Sequence, residues 1–282
     1  MKRLLPSLAI ILILTSCKDK SKQVLIKEKH VSATEIIEKK DSINKSIPIA
    51  DASTIMAKKQ VPVLCYHHIR NIQMASKANM GYEVSISAFQ QQMKALHDNG
   101  YHTITPDQYY DYLTKGSPLP DKPVMITFDD TDEEQYTIGK TELDKYGFKG
   151  VYFIMTVSIN RPHYMSATQI RQLSDEGHTI ASHTWNHSQV PKYKGDDWNI
   201  QLDQPQRKLE EITGKKVEYF AYPYGLWNEA AIPELKKRGY KMAFQLSTKR
   251  DSLEPLFTVR RMIISADWSA PGTIKVMEKT FR

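Results

Sequence analysis

Two carboxylates and two imidazoles form a set able to do hydrolytic chemistry. Asp129 and Asp130 end the run Thr127-Phe128-Asp129-Asp130, and His183 and His187 frame His183-Thr184-Trp185-Asn186-His187. Two imidazoles and one carboxylate leave a position open on a divalent ion, which marks a catalytic zinc site rather than a structural one. The second Asp then stands where a base for an activated water is needed. Each half alone is a weak signal. Paired acids often end a strand as solvated groups, and a spacing of four puts two histidines on one face of a helical turn with or without a metal. At the ends of nearby strands, the two halves together call for one explanation.

The surrounding pattern supplies those strands. A polar helix end, a glycine and then a strand recur at Asn99-Gly100-Tyr101, Tyr146-Gly147-Phe148, Glu176-Gly177-His178 and Arg238-Gly239-Tyr240. Glycine just past a helix end is a left-handed cap. Phe89, Met93 and Leu96, or Ile170 and Leu173, show helical spacing before it. Ser87, Thr105 before Pro106, and Ser166 are expected N-caps. Residues 150–156, 178–182 and 241–246 are β-rich, and Pro205 predicts a break or a helix start within 198–213. Alternating helix, glycine and strand predicts parallel βαβ units, in number enough for a closed or nearly closed barrel. His67, Asp129, Asp130, His183 and Pro223-Tyr224-Gly225 each follow a predicted strand, the face on which barrel enzymes assemble their sites.

The ends of the chain read differently. Met1-Lys2-Arg3, a short apolar run and Leu14-Thr15-Ser16-Cys17 predict a signal peptide over residues 1–16, too short to span a bilayer. Leu-Thr-Ser-Cys resembles the lipobox of bacterial lipoproteins, which implies a lipidated Cys17. Lys18 in the second mature position then implies the outer rather than the inner membrane. Residues 18–60 contain no aromatic residue and no glycine, and cannot bury enough apolar area to fold. Residues 17–60 are therefore read as a lipidated cysteine and flexible tether, reaching roughly 140 Å if fully extended, with a short amphipathic helix possible near 35–40. Residues 61–282 are the expected catalytic domain. Of two cysteines in the chain, only Cys65 lies in that domain. It is expected to be a small buried hydrophobe, and no disulfide within the domain can form. The net charge of +7 suits an anionic envelope surface. No aromatic-interleaved basic stripe argues for nucleic acid.

Thr127-Phe128-Asp129-Asp130, His183-Thr184-Trp185-Asn186-His187 and Phe220-Ala221-Tyr222-Pro223-Tyr224-Gly225 resemble three motifs of the NodB-type polysaccharide deacetylases, carbohydrate esterase family 4. The resemblance extends from Val61 to about Trp268. It implies an α/β fold, a distorted (β/α)7 barrel, and metal-dependent N-deacetylation of an N-acetylated polysaccharide. It implies Asp129 as base, Asp130, His183 and His187 as metal ligands, and the Tyr224 backbone amide as an oxyanion donor. Zinc suits two His and one carboxylate, and cobalt or nickel fits the same geometry. The sequence departs from the family in three places. Thr131 stands where glycine is usual, Ala221 stands where an arginine usually braces the base, and no histidine follows His187. An O-acetyl glycan esterase and a degenerate carbohydrate-binding protein are the alternatives.

Val63-Leu64-Cys65-Tyr66-His67-His68 resembles the opening strand of the biofilm poly-N-acetylglucosamine deacetylases, which bring an early histidine into the site. That resemblance implies His67 as the proton donor. Strand alternation would send His67 and His68 to different faces. His30 falls in the tether, and His97, His102, His163 and His178 fall away from the strand ends. Arg260 or Arg261 is a candidate to replace the missing brace, although a solvated strand-edge arginine is the plainer reading. Asp267-Trp268 resembles the family's groove wall. Peptidoglycan, poly-N-acetylglucosamine and a capsule remain open as substrates.

Overall fold

The computed structural model describes residues 49–71, 81–246, 249–265 and 268–282. The signal segment, Cys17, His30, the expected helix near residues 35–40 and Asp267 lie outside the described residues.

In chain order the domain runs α1 (Ala52–Ala57), β1 (Val63–Tyr66), β2 (His68–Arg70), β3 (Glu83–Ser85), α2 (Ile86–Asp98), β4 (His102–Thr103), α3 (Pro106–Lys115), β5 (Pro123–Asp129), α4 (Thr141–Asp144), β6 (Gly150–Ile154), α5 (Ala167–Asp175), β7 (Thr179–Ser182), α6 (Gln204–Thr213), β8 (Tyr219–Ala221), α7 (Ala231–Lys237), β9 (Met242–Gln245), β10 (Val259–Arg260), β11 (Met262–Ile263) and α8 (Ala270–Thr280). π-helical turns lead into α4 (Gln135–Lys140) and α6 (Asn199–Asp203). No helix among the described residues is long and apolar enough to cross a membrane.

The main sheet has the order β10-β9-β8-β7-β6-β5-β1-β11, and its pairs are parallel. Its two ends are neighbours in sequence. Only Arg261 separates β10, paired with β9, from β11, paired with β1. One extended segment thus serves as the seventh stave beside β1, β5, β6, β7, β8 and β9, and closes the barrel. This is the expected distorted (β/α)7 barrel.

Strands covered on both faces read as apolar runs rather than alternating ones. Alternation persists in which core each side chain joins. Val63, Met125, Val151, Phe153, Ala221 and Phe244 pack in one buried cluster. Their neighbours Leu64, Ile126, Tyr152, Phe220 and Tyr222 pack in another, with Phe89 and Met93 of α2, Leu173 of α5, Leu209 of α6 and Met277 of α8. The second is the layer between sheet and outer helices. Tyr109 and Leu113 of α3 and Ile55 of α1 join the first, at the end where β1 begins.

Two expectations are corrected here. Residues 49–60 belong to the domain, not to the tether. Asp51 caps α1 by accepting from the Thr54 N–H at 2.7 Å, Ile55 is buried, and the Ala50 N–H donates to the Thr114 carbonyl at 2.9 Å. These ties, with hydrogen bonds from Tyr112 to the Lys59 carbonyl and from Arg250 to the Met56 carbonyl, hold a segment whose composition shows no reason to fold. The cap of α2 is Ser85 rather than Ser87, accepting from the Ala88 N–H at 3.0 Å. Thr105 and Ser166 form full capping boxes, and Pro205 lies in the first turn of α6. Gly100, Gly147, Gly177 and Gly239 all have φ between 67° and 88°, as left-handed caps require.

Candidate active site

The carboxyl end of β5 makes a sharp, strained turn. Asp129 ends the strand, and Asp130 and Thr131 follow with φ of 76° and 75°. A β-branched residue there costs about 1–3 kcal/mol of strain. Thr131 is held there because its hydroxyl accepts from the Met155 N–H at 2.8 Å and its carbonyl accepts from the Met165 N–H at 2.9 Å. The turn drives Asp130 outward toward β7 and leaves Asp129 inside.

The segment after β7 is a turn, not the helical turn that the spacing of four suggested. Thr184 and His187 have φ of 68° and 64°, and the His187 N–H donates to Thr184 Oγ1 at 2.9 Å. Buried Gln201 pins this turn, accepting from the Trp185 N–H at 3.2 Å and donating to Asn186 Oδ1 at 2.8 Å. The result stacks His187 edge-on to His183, with ring centroids 4.8 Å apart.

Asp130, His183 and His187 converge as expected. Asp130 Oδ1 lies 3.5 Å from His183 Nε2 and 3.4 Å from His187 Nε2, and all three ligand atoms lie within 4.8 Å of one another. His183 Nδ1 faces the Ala221 carbonyl at 2.8 Å, a contact that fixes the proton on Nδ1 and turns the Nε2 lone pair inward. Ala221, where the family's brace is missing, thus orients a histidine instead. Asp130 Oδ1 and His183 Nε2 are buried without a hydrogen-bond partner. Orphaned acceptors facing one point are costly unless something satisfies them, and a divalent cation fits that donor set.

Asp129 Oδ2 stands 3.7 Å from His183 Nε2, and its carboxylate is gripped from within the barrel. Arg261 Nη1 donates to its Oδ1 at 2.6 Å and Nη2 to its Oδ2 at 2.8 Å, with the guanidinium 5.1 Å above the Phe153 ring. Burial alone would raise the Asp129 carboxyl, but Arg261 and then His183 outweigh it and hold it below the ordinary range. Of the two candidate braces, Arg261 is fully inside. Arg260 points away, donating to the Thr280 carbonyl at 3.1 Å and lying over Phe281.

A cavity of about 300 Å³ is lined by His67, His68, Tyr82, Asp129, Asp130, His187, Tyr224 and Leu246. The expectation that alternation separates His67 from His68 is corrected. β1 ends at Tyr66 and β2 begins at His68, so the pleat does not continue through His67. Their bonding still distinguishes them. His68 Nδ1 pairs with Asp132 Oδ2 at 2.7 Å, and that carboxylate raises its pKa against the opposing effects of burial and of Arg70 at 3.0 Å. Among the described residues the His67 ring nitrogens face Cys65 Sγ and Asp129 Oδ2, each at 4.0 Å, its ring stands edge-on to Tyr82, and burial lowers its pKa.

Tyr224 occupies a short helical turn (Pro223–Gly225) with φ of 59°. Its ring is half exposed and lies 4.4 Å from the His187 ring. Gly225 is required beside it, since a Cβ there would meet Leu246 at 2.6 Å.

Sequence reasoning missed two groups. Gln135 is fully buried and donates to the backbone carbonyls of His67, at 2.9 Å, and Asp129. Cys65 is buried as expected, but its Sγ stands 3.8 Å from Asp129 Oδ2. Neither lies in a run with an obvious chemical signature. His97, His102, His163 and His178 do not line the cavity. Trp268 packs against the outer core, and its carbonyl accepts from Gln92 at 2.9 Å.

Comparison with known proteins agrees with this architecture. YxkH of Bacillus subtilis, named for polysaccharide deacetylation, is 30% identical over 65% of this chain, which spans 63% of that protein's length. The poly-beta-1,6-N-acetyl-D-glucosamine N-deacetylase of Staphylococcus aureus MRSA252 is 28% identical over 66% of this chain and 72% of its own. The structure of IcaB from Ammonifex degensii superposes with a TM-score of 0.65 at 26% identity, covering 78% of this chain and 98% of its own. Residues 116–243 match the polysaccharide deacetylase family model. With both motif aspartates and both motif histidines meeting at one mouth of a seven-stave barrel, the domain described here is similar to the polysaccharide deacetylases over residues 116–243.

Proposed function

We propose that the domain hydrolyses the N-acetyl amide of an N-acetylglucosamine polysaccharide, with a divalent ion held by Asp130, His183 and His187. The observation that carries this reading is the inward-facing pair of unpartnered atoms, Asp130 Oδ1 and His183 Nε2, beside an arginine-braced Asp129. Two imidazoles and one carboxylate favour zinc, with cobalt or nickel as chemical equivalents. When bound, the ion supplies Lewis acidity that polarises the acetyl carbonyl and eases deprotonation of water.

The chain's own residues do the rest. Arg261 keeps Asp129 ionised and oriented, so Asp129 takes the proton of the attacking water. The Tyr224 backbone N–H stabilises the oxyanion that develops on the acetyl carbonyl oxygen. The C–N bond breaks, and His67 hands the leaving amine a proton that originates on the water and passes through Asp129. The products are acetate and a glucosamine residue. His67 fits this role better than His68, which is committed to Asp132.

The names of the relatives support poly-β-1,6-N-acetylglucosamine over peptidoglycan or a capsule. The degenerate-binder reading drew on a missing brace and a missing late histidine, and Arg261 and His67 supply both groups. We also propose a lipid anchor at Cys17 in the cell envelope, at the outer membrane by Lys18. Acetate release from β-1,6- and β-1,4-linked N-acetylglucosamine oligomers, peptidoglycan and acetyl-xylan, with metal analysis, tests the activity. Ester-only release would assign an O-acetyl esterase, and glycan binding without release a lectin-like role.

A further inference from the structure

Gln135 is a fully buried amide, and both of its donors go to the backbone of the proposed acid and base. β1 and β5 run side by side in register, from Val63 beside Met125 to Tyr66 beside Phe128. The next step of that register sets His67 beside Asp129, where β1 has already ended. In a parallel ladder, backbone hydrogen bonds would go on joining the two chains. Here a side chain takes over. Gln135 Nε2 donates one hydrogen to the His67 carbonyl at 2.9 Å and the other to the Asp129 carbonyl.

Gln135 opens the π-helical turn Gln135–Lys140, six residues beyond Asp129. That turn lies close against the strands. A Cβ on Gly139 would meet the Phe128 ring at 3.3 Å and Ile69 Cδ1 at 3.4 Å. The oxygen of the amide gains nothing from this place, since Gln135 Oε1 is buried without a hydrogen-bond partner. An orphaned buried acceptor is costly, and an apolar side chain of the same length would carry none. An amide here is explained by what its nitrogen holds rather than by packing.

The two residues depend on this tie unequally. Asp129 is also fixed by its pairing with Phe153 of β6 and by both prongs of Arg261. His67 lies between β1 and β2, with its ring nitrogens 4.0 Å from Cys65 Sγ and Asp129 Oδ2 and its ring edge-on to Tyr82. Contacts of that length restrain a ring weakly.

We infer that Gln135 is a positioning residue for the proton donor, which holds the backbone of His67 at a set distance from the base. The inference rests on the proposed role of His67 in glycan deacetylation.

A double-mutant cycle with His67→Ala in the whole chain tests it. The readout is acetate release from a β-1,6-linked N-acetylglucosamine oligomer at matched metal content. Gln135→Met keeps the length of the side chain and removes both donors. Its kcat should fall by about 10- to 100-fold with KM unchanged, because small misplacements of a reacting group cost that much. In the His67→Ala background the same change should have no further effect, since residues that act through one another do not add. Gln135→Asn keeps an amide one methylene short, and carries the same comparison, with a smaller loss, where Gln135→Met is too unstable to assay. Wild-type kcat in Gln135→Met, or losses that multiply with those of His67→Ala, overturns the inference. Wild-type kcat in His67→Ala beside a loss in Gln135→Met overturns the proton-donor reading, and the inference with it, and moves the effect of the amide to Asp129.

Discussion

Arg261 grips both oxygens of Asp129, at 2.6 and 2.8 Å, from the middle of the segment that closes the barrel. The two residues are 132 positions apart, and their contact exists only because residues 259–263 pair with β9 at one end and β1 at the other. Barrel closure and the placement of the Asp129 carboxylate are one event.

Arg261→Lys keeps the charge but loses the two-pronged fork. Turnover should fall by ~10²-fold through misplacement of the base, with metal content unchanged. Arg261→Ala leaves a buried carboxylate without its partner and should cost about 3–5 kcal/mol of stability. Denaturant unfolding and steady-state kinetics read the two effects apart. Wild-type turnover in Arg261→Lys would show that the brace does nothing for the reaction.

Replacing both His183 and His187 by Ala should strip the metal while the far-UV circular dichroism stays unchanged. Both histidines lie on a turn beyond β7, and His183 Nδ1 makes one contact with a strand, at the Ala221 carbonyl of β8. Metal analysis after dialysis checks this. A fully loaded double variant would move the ion elsewhere.

How far the sequence speaks depends on how local each feature is. Asp130, His183 and His187 were legible because ligand chemistry is carried by residue type, and each follows an apolar strand run. The role of Arg261 was not, because it needs the register of β10 and β11 against strands far away in sequence. Nor was the shared orientation of His67 and His68, since a chain leaving its strand at Tyr66 no longer obeys a period of two. Residues 49–60 were hidden for another reason. Folding there draws on one buried isoleucine, one aspartate cap and hydrogen bonds to backbone carbonyls from Tyr112 and Arg250, which leave little mark on the composition of the segment.

Cys17 should carry acyl chains, each methylene contributing ~0.8 kcal/mol, and stable anchoring takes more than one chain. Cys17→Ser should remain unprocessed and take up no labelled fatty acid. Equal label on both forms would remove the anchor from the proposal.

His67→Ala should lower kcat by ~10²–10⁴-fold, the range for general acid–base groups, at matched metal content. His68→Ala should change kcat far less, because its imidazole is already engaged by Asp132. Near wild-type turnover in His67→Ala would require another proton donor.

His178 should make folding sensitive to acid. Its Nδ1 accepts from the Gly150 N–H at 3.0 Å, which needs the neutral ring, and its side chain is fully covered. Burial pushes its pKa down to about 4, helped by Lys149 and Lys140 and opposed by Asp144 and Glu176. The unfolded chain binds this proton near pH 6.5, so between about 4 and 6.5 the unfolded state holds more protons than the native one. Stability from this group is therefore complete above about pH 6.5 and lost as the pH falls toward 4, by on the order of 3 kcal/mol at most. His178→Gln has an amide oxygen able to accept from Gly150 but no titration. Urea unfolding at pH 7 and pH 4.5 should show a smaller acid loss in the variant than in the wild type. An identical loss in both would mean that carboxylates elsewhere account for the acid sensitivity and that His178 is already satisfied when protonated.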